Sequence, residues 1–271
     1  MKEHDEHGKQ QSSKCKTDEV LGVYSEVFSA KSSVEGGQDG GVATALLVSG
    51  LQRGAFDCAV VVQRKHGYLA EAVVVQSVDD VLKARGTKYL RVNTVFKLKE
   101  LVEGGYRRIA VVGTPCQVRA ARKLQSALLR SYPDLELTLI GLFCFEAFKY
   151  EKLKEETRRL LAVDLDAAEK TQIRRSKFVV RVDGKDNSVN VKELKAAVEN
   201  ACQRCSDFTA EYADISVGSV GSDEGYSTVI VRSPTGKKLV YNLDLSRGNI
   251  RNEEVVKVAV RKKKTRTEDL T

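Results

Sequence analysis

Four of the chain's six cysteines read as one set, and that set constrains the fold more than any other feature. Cys116 lies in V-G-T-P-C-Q-V, Cys144 in I-G-L-F-C-F-E, and Cys202 and Cys205 form C-Q-R-C. Cys116 and Cys144 each follow an apolar run and precede a helix-like stretch. In an open α/β sheet, ligands bind outside the carboxyl ends of the strands. Two cysteines on that edge, completed by a C-x-x-C from later in the chain, make a four-thiolate site. Such a site suits an iron–sulfur cluster or a structural zinc.

Other uses of the same thiols stay open at this level. A lone C-x-x-C fits zinc, a redox pair or coincidence. Cys116, after Thr-Pro at a helix start, also fits a nucleophile. The chain has three histidines, and His4 and His7 fall in a polar lead. His66 is then the one base of that type left for a Cys–His catalyst or a histidine-bound zinc. Cys15 lies in the polar lead and Cys58 in an apolar run where buried thiols are common, so both are set aside.

At 271 residues, with 42% hydrophobic and 30% charged side chains, the chain can bury a sizeable core. No apolar run approaches the ~18 residues of a membrane helix, and the N-terminal residues lack the apolar segment of a secretory signal. The expected compartment is cytoplasmic, where cysteines stay reduced or bind metal. The formal net charge of +8 points to an anionic partner. No helix-turn-helix, zinc-finger or RNP-type pattern supports nucleic acid, and the basic run Arg261 to Lys264 reads as a solvated, mobile terminus.

Along the chain, residues 1–18 read as a disordered polar lead. A first strand is expected over 20–28, then the glycine-rich turn E-G-G-Q-D-G-G (35–41) and a short apolar helix. Strands follow at 58–62 and 69–76. D-D-V-L-K-A opens a helix on an acid pair, and residues 94–102 form another, ending at Gly104-Gly105. Strand 108–112, a basic amphipathic helix 117–130, strand 135–143 and a charged helix 146–161 complete an α/β portion over 19–165. An α+β portion over 166–250 carries the C-x-x-C. In it, strands 177–182 and 188–191 flank D-G-K-D-N as a hairpin with a longer loop, and 215–220 and 227–232 are further strands. Residues 251–271 read as a basic C-terminal tail.

Three glycine turns stand out. The turn at 35–41 matches neither G-x-G-x-x-G nor the Walker pattern, yet glycine followed by a helix start suits a phosphate. G-T-K-Y (86–89) sets a cation beside a glycine; it suits a phosphate, a flavin edge or an ordinary loop. V-G-S-V-G-S-D-E-G-Y-S-T (217–228) is too long for a simple hairpin. Three such turns with four cysteines exceed what a purely structural domain requires.

Taken together, Q-D-G-G-V-A-T-A-L-L (38–47), R-G-T-K-Y (85–89), G-T-P-C-Q (113–117), G-L-F-C-F-E (141–146) and C-Q-R-C-S-D-F-T-A-E-Y-A-D-I-S-V-G-S-V-G (202–221) resemble the coenzyme F420 hydrogenase/dehydrogenase beta subunit family, in the family's order. The resemblance covers about residues 20–233 and is nearest to the F420-reducing hydrogenase beta subunit. It implies an oxidoreductase that binds FAD and one [4Fe–4S] cluster between its two portions, with 19–165 as the flavin-binding part. Cluster ligation is implied for Cys116, Cys144, Cys202 and Cys205. FAD contacts are implied for Gln38, Asp39, Gly40, Gly41 and Thr44, for Gly86, Thr87, Lys88 and Tyr89, and for Gly218, Ser219, Val220 and Gly221. Hydride transfer is then by FAD, with no catalytic side chain assigned.

The deazaflavin moves electrons as a hydride and a cluster moves them singly, so the implied FAD stands between them as the two-to-one-electron gate. Implied partners are the large and small subunits of a hydrogenase or dehydrogenase in a methanogenesis-type metabolism, with coenzyme F420 as substrate. The anionic glutamate tail of that coenzyme gives the basic balance a specific meaning. Tyr226 stands where relatives often carry tryptophan. The chain also lacks the C-x-x-C-x-x-C-x-x-x-C-P motif of many formate- and membrane-linked relatives. Two other readings remain: a stand-alone F420-dependent flavin oxidoreductase acting on a small substrate such as sulfite, and a non-redox zinc protein with an anion-binding surface.

Overall fold

The runs C-A-V-V-V (58–62), I-A-V-V (109–112) and L-T-L-I-G (137–141, interrupted only by Thr138) are nearly continuous apolar stretches, the pattern of strands covered on both faces. A computed structural model describes residues 15–34 and 37–267 and sets these three runs side by side. The chain begins with a small hairpin, β1 (Lys16–Asp18) and β2 (Gly22–Tyr24), then β3 (Glu26–Ser32) and helix α1 (Val42–Gln52). An antiparallel pair follows, β4 (Cys58–His66) and β5 (Leu69–Val75), then α2 (Val78–Lys83) and α3 (Val95–Glu103). Next come β6 (Arg108–Gly113), α4 (Pro115–Leu128), β7 (Glu136–Leu142) and α5 (Tyr150–Leu161). Three strands, β8 (Lys170–Arg174), β9 (Lys177–Val182) and β10 (Lys185–Asn190), make a separate antiparallel sheet. The last elements are β11 (Ile215–Gly218), β12 (Ser227–Val231), α6 (Pro234–Tyr241), β13 (Leu245–Gly248) and α7 (Asn252–Thr267).

The large sheet has the order β13-β3-β12-β11-β7-β6-β4-β5. Its centre, β4, β6, β7 and β11, is parallel, and the outer strands are antiparallel. Side chains alternate across it. Ala59 and Val61 pack with Leu46, Leu47 and Leu239 from α1 and α6 on one face. Cys58 and Val60 pack with Leu98 and Val118 from α3 and α4 on the other. A third core unites the small sheet with α5 through Phe148, Leu153, Phe178 and Val180, and a fourth lies under α7 around Leu21, Phe208, Val255 and Ala259.

The structure redraws several expectations. The division near residue 165 does not separate two sheets, because β11, β12 and β13 return to the large one while β8 to β10 form the smaller. The strand expected over 20–28 is broken between β2 and β3, and the expected polar lead contributes β1, with Asp18 Oδ1 accepting from the N–H groups of Val20 and Leu21 at 2.8 Å. Residues 1–14 of that lead lie outside the described residues. Asp183 and Gly184 alone turn the β9–β10 hairpin, both at positive φ (49° and 70°), so its loop is the two-residue type that D-G favours. Ser77 caps α2 and the acid pair occupies its first turn. Helix α5 starts at Tyr150 instead of residue 146.

The largest correction concerns the basic terminus. Residues 252–267 form α7, and Lys262 within it is 1% exposed, which ends the mobile-tail reading of Arg261 to Lys264. No helix among the described residues is long and apolar enough to cross a membrane.

A buried guanidinium ties these parts together. Arg232, 7% exposed, donates to the Leu21 carbonyl at 2.6 Å, Ser216 Oγ at 2.7 Å and Thr209 Oγ1 at 2.9 Å. Burial pulls its pKa down to about 10, against the favourable charges of Asp207 and Glu211. Arg232→Met should strand those acceptors at a cost of about 3 kcal/mol, which for a domain of this size lowers Tm by roughly 6–12 °C. Thermal unfolding followed by circular dichroism measures it, and an unchanged Tm would contradict this role.

Candidate functional site

Strands β6 and β7 run parallel with Gly113 paired to Gly141. Cys116 and Cys144 each stand three residues beyond a member of that pair, so both leave the same edge of the sheet at the same height. Cys116 occupies the first turn of α4, opened by Thr114 and Pro115. It is exposed, with its sulfur 3.4 Å from Thr114 Oγ1. The Cys144 backbone N–H donates to the Phe208 carbonyl at 3.0 Å, which joins this edge to the segment after the C-x-x-C. Phe143 and Phe208 pack beside that bond with ring centroids 5.2 Å apart.

A 3-10 turn, Asn200–Arg204, delivers the C-x-x-C. Cys202 Sγ accepts from the Ala147 N–H at 3.4 Å, and Cys205 Sγ lies 3.7 Å from the Asp207 carbonyl. The four thiols share one electrostatic neighbourhood. Burial pushes the Cys144 thiol up to about 12, Lys262 opposes the shift, and Cys202, Cys116 and Cys205 each add to it. Burial likewise raises Cys202. Cys58 is elsewhere, fully buried under the sheet and pushed up to about 11 by that burial, and Cys15 is exposed on the N-terminal segment.

All six cysteines are free, and among the described residues no three His, Cys, Asp or Glu side chains converge closely enough to hold one metal ion. Four cysteine donors suit an iron–sulfur cluster, whose several metal atoms each take one thiolate, as they suit a four-cysteine zinc.

The three glycine turns surround a rim beside this edge. In the first, Gly40 N–H donates to Ser227 Oγ at 3.1 Å, and a Cβ there would lie 2.4 Å from the Ala30 carbonyl, so the turn docks onto β3 and β12 as only glycine can. Gly41 opens α1 at φ 67°; Gln38 and Thr44 are half-buried, and Glu35 and Gly36 lie outside the described residues. Asp39 is solvent-accessible, yet the surrounding protein raises its carboxyl against the pull of Lys170 and Arg174.

In the second turn, Lys88 Nζ donates to the carbonyls of Ala84, Arg85 (3.0 Å) and Gly86 (2.9 Å), closing the end of α2. Burial and the charge of Arg64 pull Lys88 down to about 8. The Thr87 carbonyl accepts from Thr171 Oγ1 at 3.4 Å, and Tyr89, whose phenol burial pushes up, accepts from the Ile173 N–H at 2.8 Å. In the third, a Cβ on Gly218 would meet the Phe143 ring at 2.1 Å, which seats this turn against the Cys144 segment. Ser219 is exposed, the Val220 carbonyl accepts from Thr228 Oγ1 at 2.7 Å, and Gly221 turns at φ 91°.

Strand β8 connects the rim. It hydrogen-bonds the second turn through Thr171 and Ile173, faces Asp39 of the first with Lys170 and Arg174, and pairs Arg174 with Glu224 in the third. Arg174, Arg175 and Lys177 are exposed at the β8–β9 tip.

Lys262 is the site residue that sequence reasoning missed. Its ammonium lies 3.5 Å from Cys205 Sγ and donates to the carbonyls of Cys144 (2.6 Å) and Asp207 (2.7 Å). The available signal was spacing: Val255, Ala259 and Lys262 fall at i, i+4 and i+7, which puts a lysine on an apolar helix stripe.

Residues 27–99 match the N-terminal region, and residues 106–258 the C-terminal region, of the coenzyme F420 hydrogenase/dehydrogenase beta subunit. The chain is 38% identical over 248 residues to a coenzyme F420-dependent sulfite reductase of Methanocaldococcus jannaschii, covering 87% of this chain and 39% of that protein. It thus spans about two fifths of that relative's length. It is 34% identical over 229 residues to the coenzyme F420 hydrogenase subunit beta of Methanothermobacter thermautotrophicus, covering 82% of each. A chain of the F420-reducing [NiFe] hydrogenase complex from Methanosarcina barkeri superposes with a TM-score of 0.87 at 30% identity over 93% of both chains. With the N- and C-terminal regions matched in order and the architecture shared, the chain belongs to the coenzyme F420 hydrogenase/dehydrogenase beta subunit family.

Proposed function

We propose that this chain is a cytoplasmic electron-transfer subunit that exchanges a hydride with coenzyme F420 and passes single electrons to or from a partner hydrogenase or dehydrogenase. The observation that carries this reading is the gathering of Cys116, Cys144, Cys202 and Cys205 on the carboxyl edge of β6 and β7, beside the three-turn rim. The four cysteines would hold a [4Fe–4S] cluster, and Gln38 to Thr44, Gly86 to Tyr89 and Gly218 to Gly221 would hold FAD. Bound together, the two groups supply the conversion between hydride and single-electron transfer.

The chain's own residues bind, orient and exclude water. Gly40 brings its turn against the backbone of β3 and β12, and Gly218 brings its turn against the Phe143 ring. Phe143 and Phe208 provide an apolar wall behind Cys144. The exposed Arg174, Arg175 and Lys177 attract the anionic coenzyme from solution. The sulfite reductase relative supports a second reading, in which the same half-reaction serves a small substrate in place of a hydrogenase partner.

Serine at any one of the four cysteines should deplete iron and block transfer to one-electron acceptors, whereas Cys15→Ser and Cys58→Ser should leave iron unchanged. Iron and sulfide assays after anaerobic purification decide this. Full iron retention in Cys116→Ser or Cys144→Ser would sink the four-thiolate reading.

Lys88→Ala should weaken FAD retention with the fold intact. Because Lys88 carries its charge only below about 8, FAD affinity should fall as pH rises through that value in the wild type and show no such step in the variant. Flavin titrations across pH 7–9 check the sign; a step that survives in Lys88→Ala would assign it to another group.

KM for coenzyme F420 should rise with salt, because exposed charges are screened over ~8 Å at physiological ionic strength. A coenzyme lacking the glutamate tail should lose most of that dependence, as should the wild-type coenzyme with Arg174→Ala/Arg175→Ala/Lys177→Ala. Equal salt responses for both coenzymes would shift the role of these cations to subunit docking.

A further inference from the structure

The basic run of α7 is fixed at each of three consecutive positions. Arg261 lies over the Phe145 ring at 4.8 Å, and Lys263 pairs with Glu211 at 3.4 Å and donates to the Glu19 carbonyl. Lys262, between them, turns inward. It is 1% exposed, and its three acceptors are two backbone carbonyls and the sulfur of Cys205. Among the described residues no carboxylate forms an ion pair with it. Asp207 offers it a carbonyl only; one of its carboxylate oxygens accepts from the Glu211 N–H at 3.1 Å and the other is buried without a partner.

A buried ammonium without an anion is strongly disfavoured unless a negative group completes the pair. The carbonyls of Cys144 and Asp207 satisfy its hydrogen bonds but carry no net charge. Its remaining polar contact is the Cys205 thiol, Cys144 and Cys202 feel its charge, and cysteine binds metal as thiolate. Four thiolates outweigh the positive charge of the metal core they surround, so the filled site is anionic and Lys262 faces it from within hydrogen-bond reach of one ligand.

We infer that Lys262 is the built-in counter-cation of the four-thiolate site, a positioning residue that holds the Cys144 and Cys205 segments together and favours the more negative, reduced state of whatever metal centre they carry. This rests on the cluster reading above and adds to it the residue that sets the centre's electron affinity. Net charge and hydrogen bonds to sulfur are the terms by which a protein tunes such a centre. Because the lysine comes from α7, more than fifty residues after the C-x-x-C, it also makes the last helix part of the redox site.

The test uses the full chain, purified anaerobically. Lys262→Gln keeps hydrogen-bond donors for the two carbonyls and removes the charge; Lys262→Arg keeps the charge. Iron and acid-labile sulfide are counted first, then the centre is titrated by electron paramagnetic resonance against mediators of known potential. Lys262→Gln should shift the one-electron equilibrium about tenfold toward the oxidised form, which is about 59 mV, and Lys262→Arg should stay near wild type. An unchanged potential in Lys262→Gln with iron retained would overturn the inference. If Lys262→Gln loses its iron, a chelator challenge decides. Retention restored by Lys262→Arg supports the charge role, and equal loss in both variants overturns it, leaving a role in shape alone. Wild-type chain without iron or sulfide would instead defeat the cluster reading itself, an outcome visible before any variant is compared.

Discussion

The parallel pairing of β6 with β7 is the constraint on which the site depends. Gly113 and Gly141 are register partners, and Gly141 has no room for a side chain, because a Cβ there would meet Ala210 Cβ at 2.3 Å. Because the two chains leave the sheet together, Cys116 and Cys144 emerge as neighbours. Ala210 belongs to the segment that follows the C-x-x-C, so the same glycine contact draws Cys202 and Cys205 toward that edge. A one-residue slip of β7 against β6 would reverse the faces of Leu137 and Leu139 as well as displace Cys144. Core packing therefore holds the thiol geometry in place.

Two buried cations lock the later part of the chain onto this edge. Arg232 gathers Leu21, Thr209 and Ser216, and Lys262 gathers Cys144 and Asp207. Residues 207–209, immediately after the C-x-x-C, bind both: Asp207 and Thr209 give their carbonyls to Lys262 and Arg232, while Phe208 accepts from the Cys144 N–H. The conformation of the segment carrying two of the four thiols is thus specified by backbone acceptors and charged donors, where a loop of small polar residues alone would have many alternatives.

Much of this was legible in the sequence. Consecutive apolar residues announced β4, β6 and β7, and Gly104 after a periodic stretch marked the end of α3. What hid from view has physical causes. Strand β8, K-T-Q-I-R, is too polar to signal a strand because it stands at the edge of a small sheet with one face on the rim. The return of β11 to β13 to the large sheet is a matter of long-range pairing, which local pattern does not encode. Lys262 was concealed by its neighbours: in R-K-K-K the local composition says solvent, and only the helical phase relative to Val255 and Ala259 says core.

The same distinction governs how the glycine turns and the charged groups bear on ligand binding. Gly40 is required by the Ala30 carbonyl, Gly218 by the Phe143 ring and Gly221 by its φ of 91° and by Val255, so each glycine is accounted for by chain packing. Glycine there permits a phosphate to approach and does not demand one. The charged groups are different, since packing explains neither the raised carboxyl of Asp39 beside Lys170 and Arg174 nor an ammonium buried against the Cys205 thiol. A buried ammonium of this kind is favoured by a complex that supplies the missing anion. The two charged groups lie at the β8 rim and beneath α7.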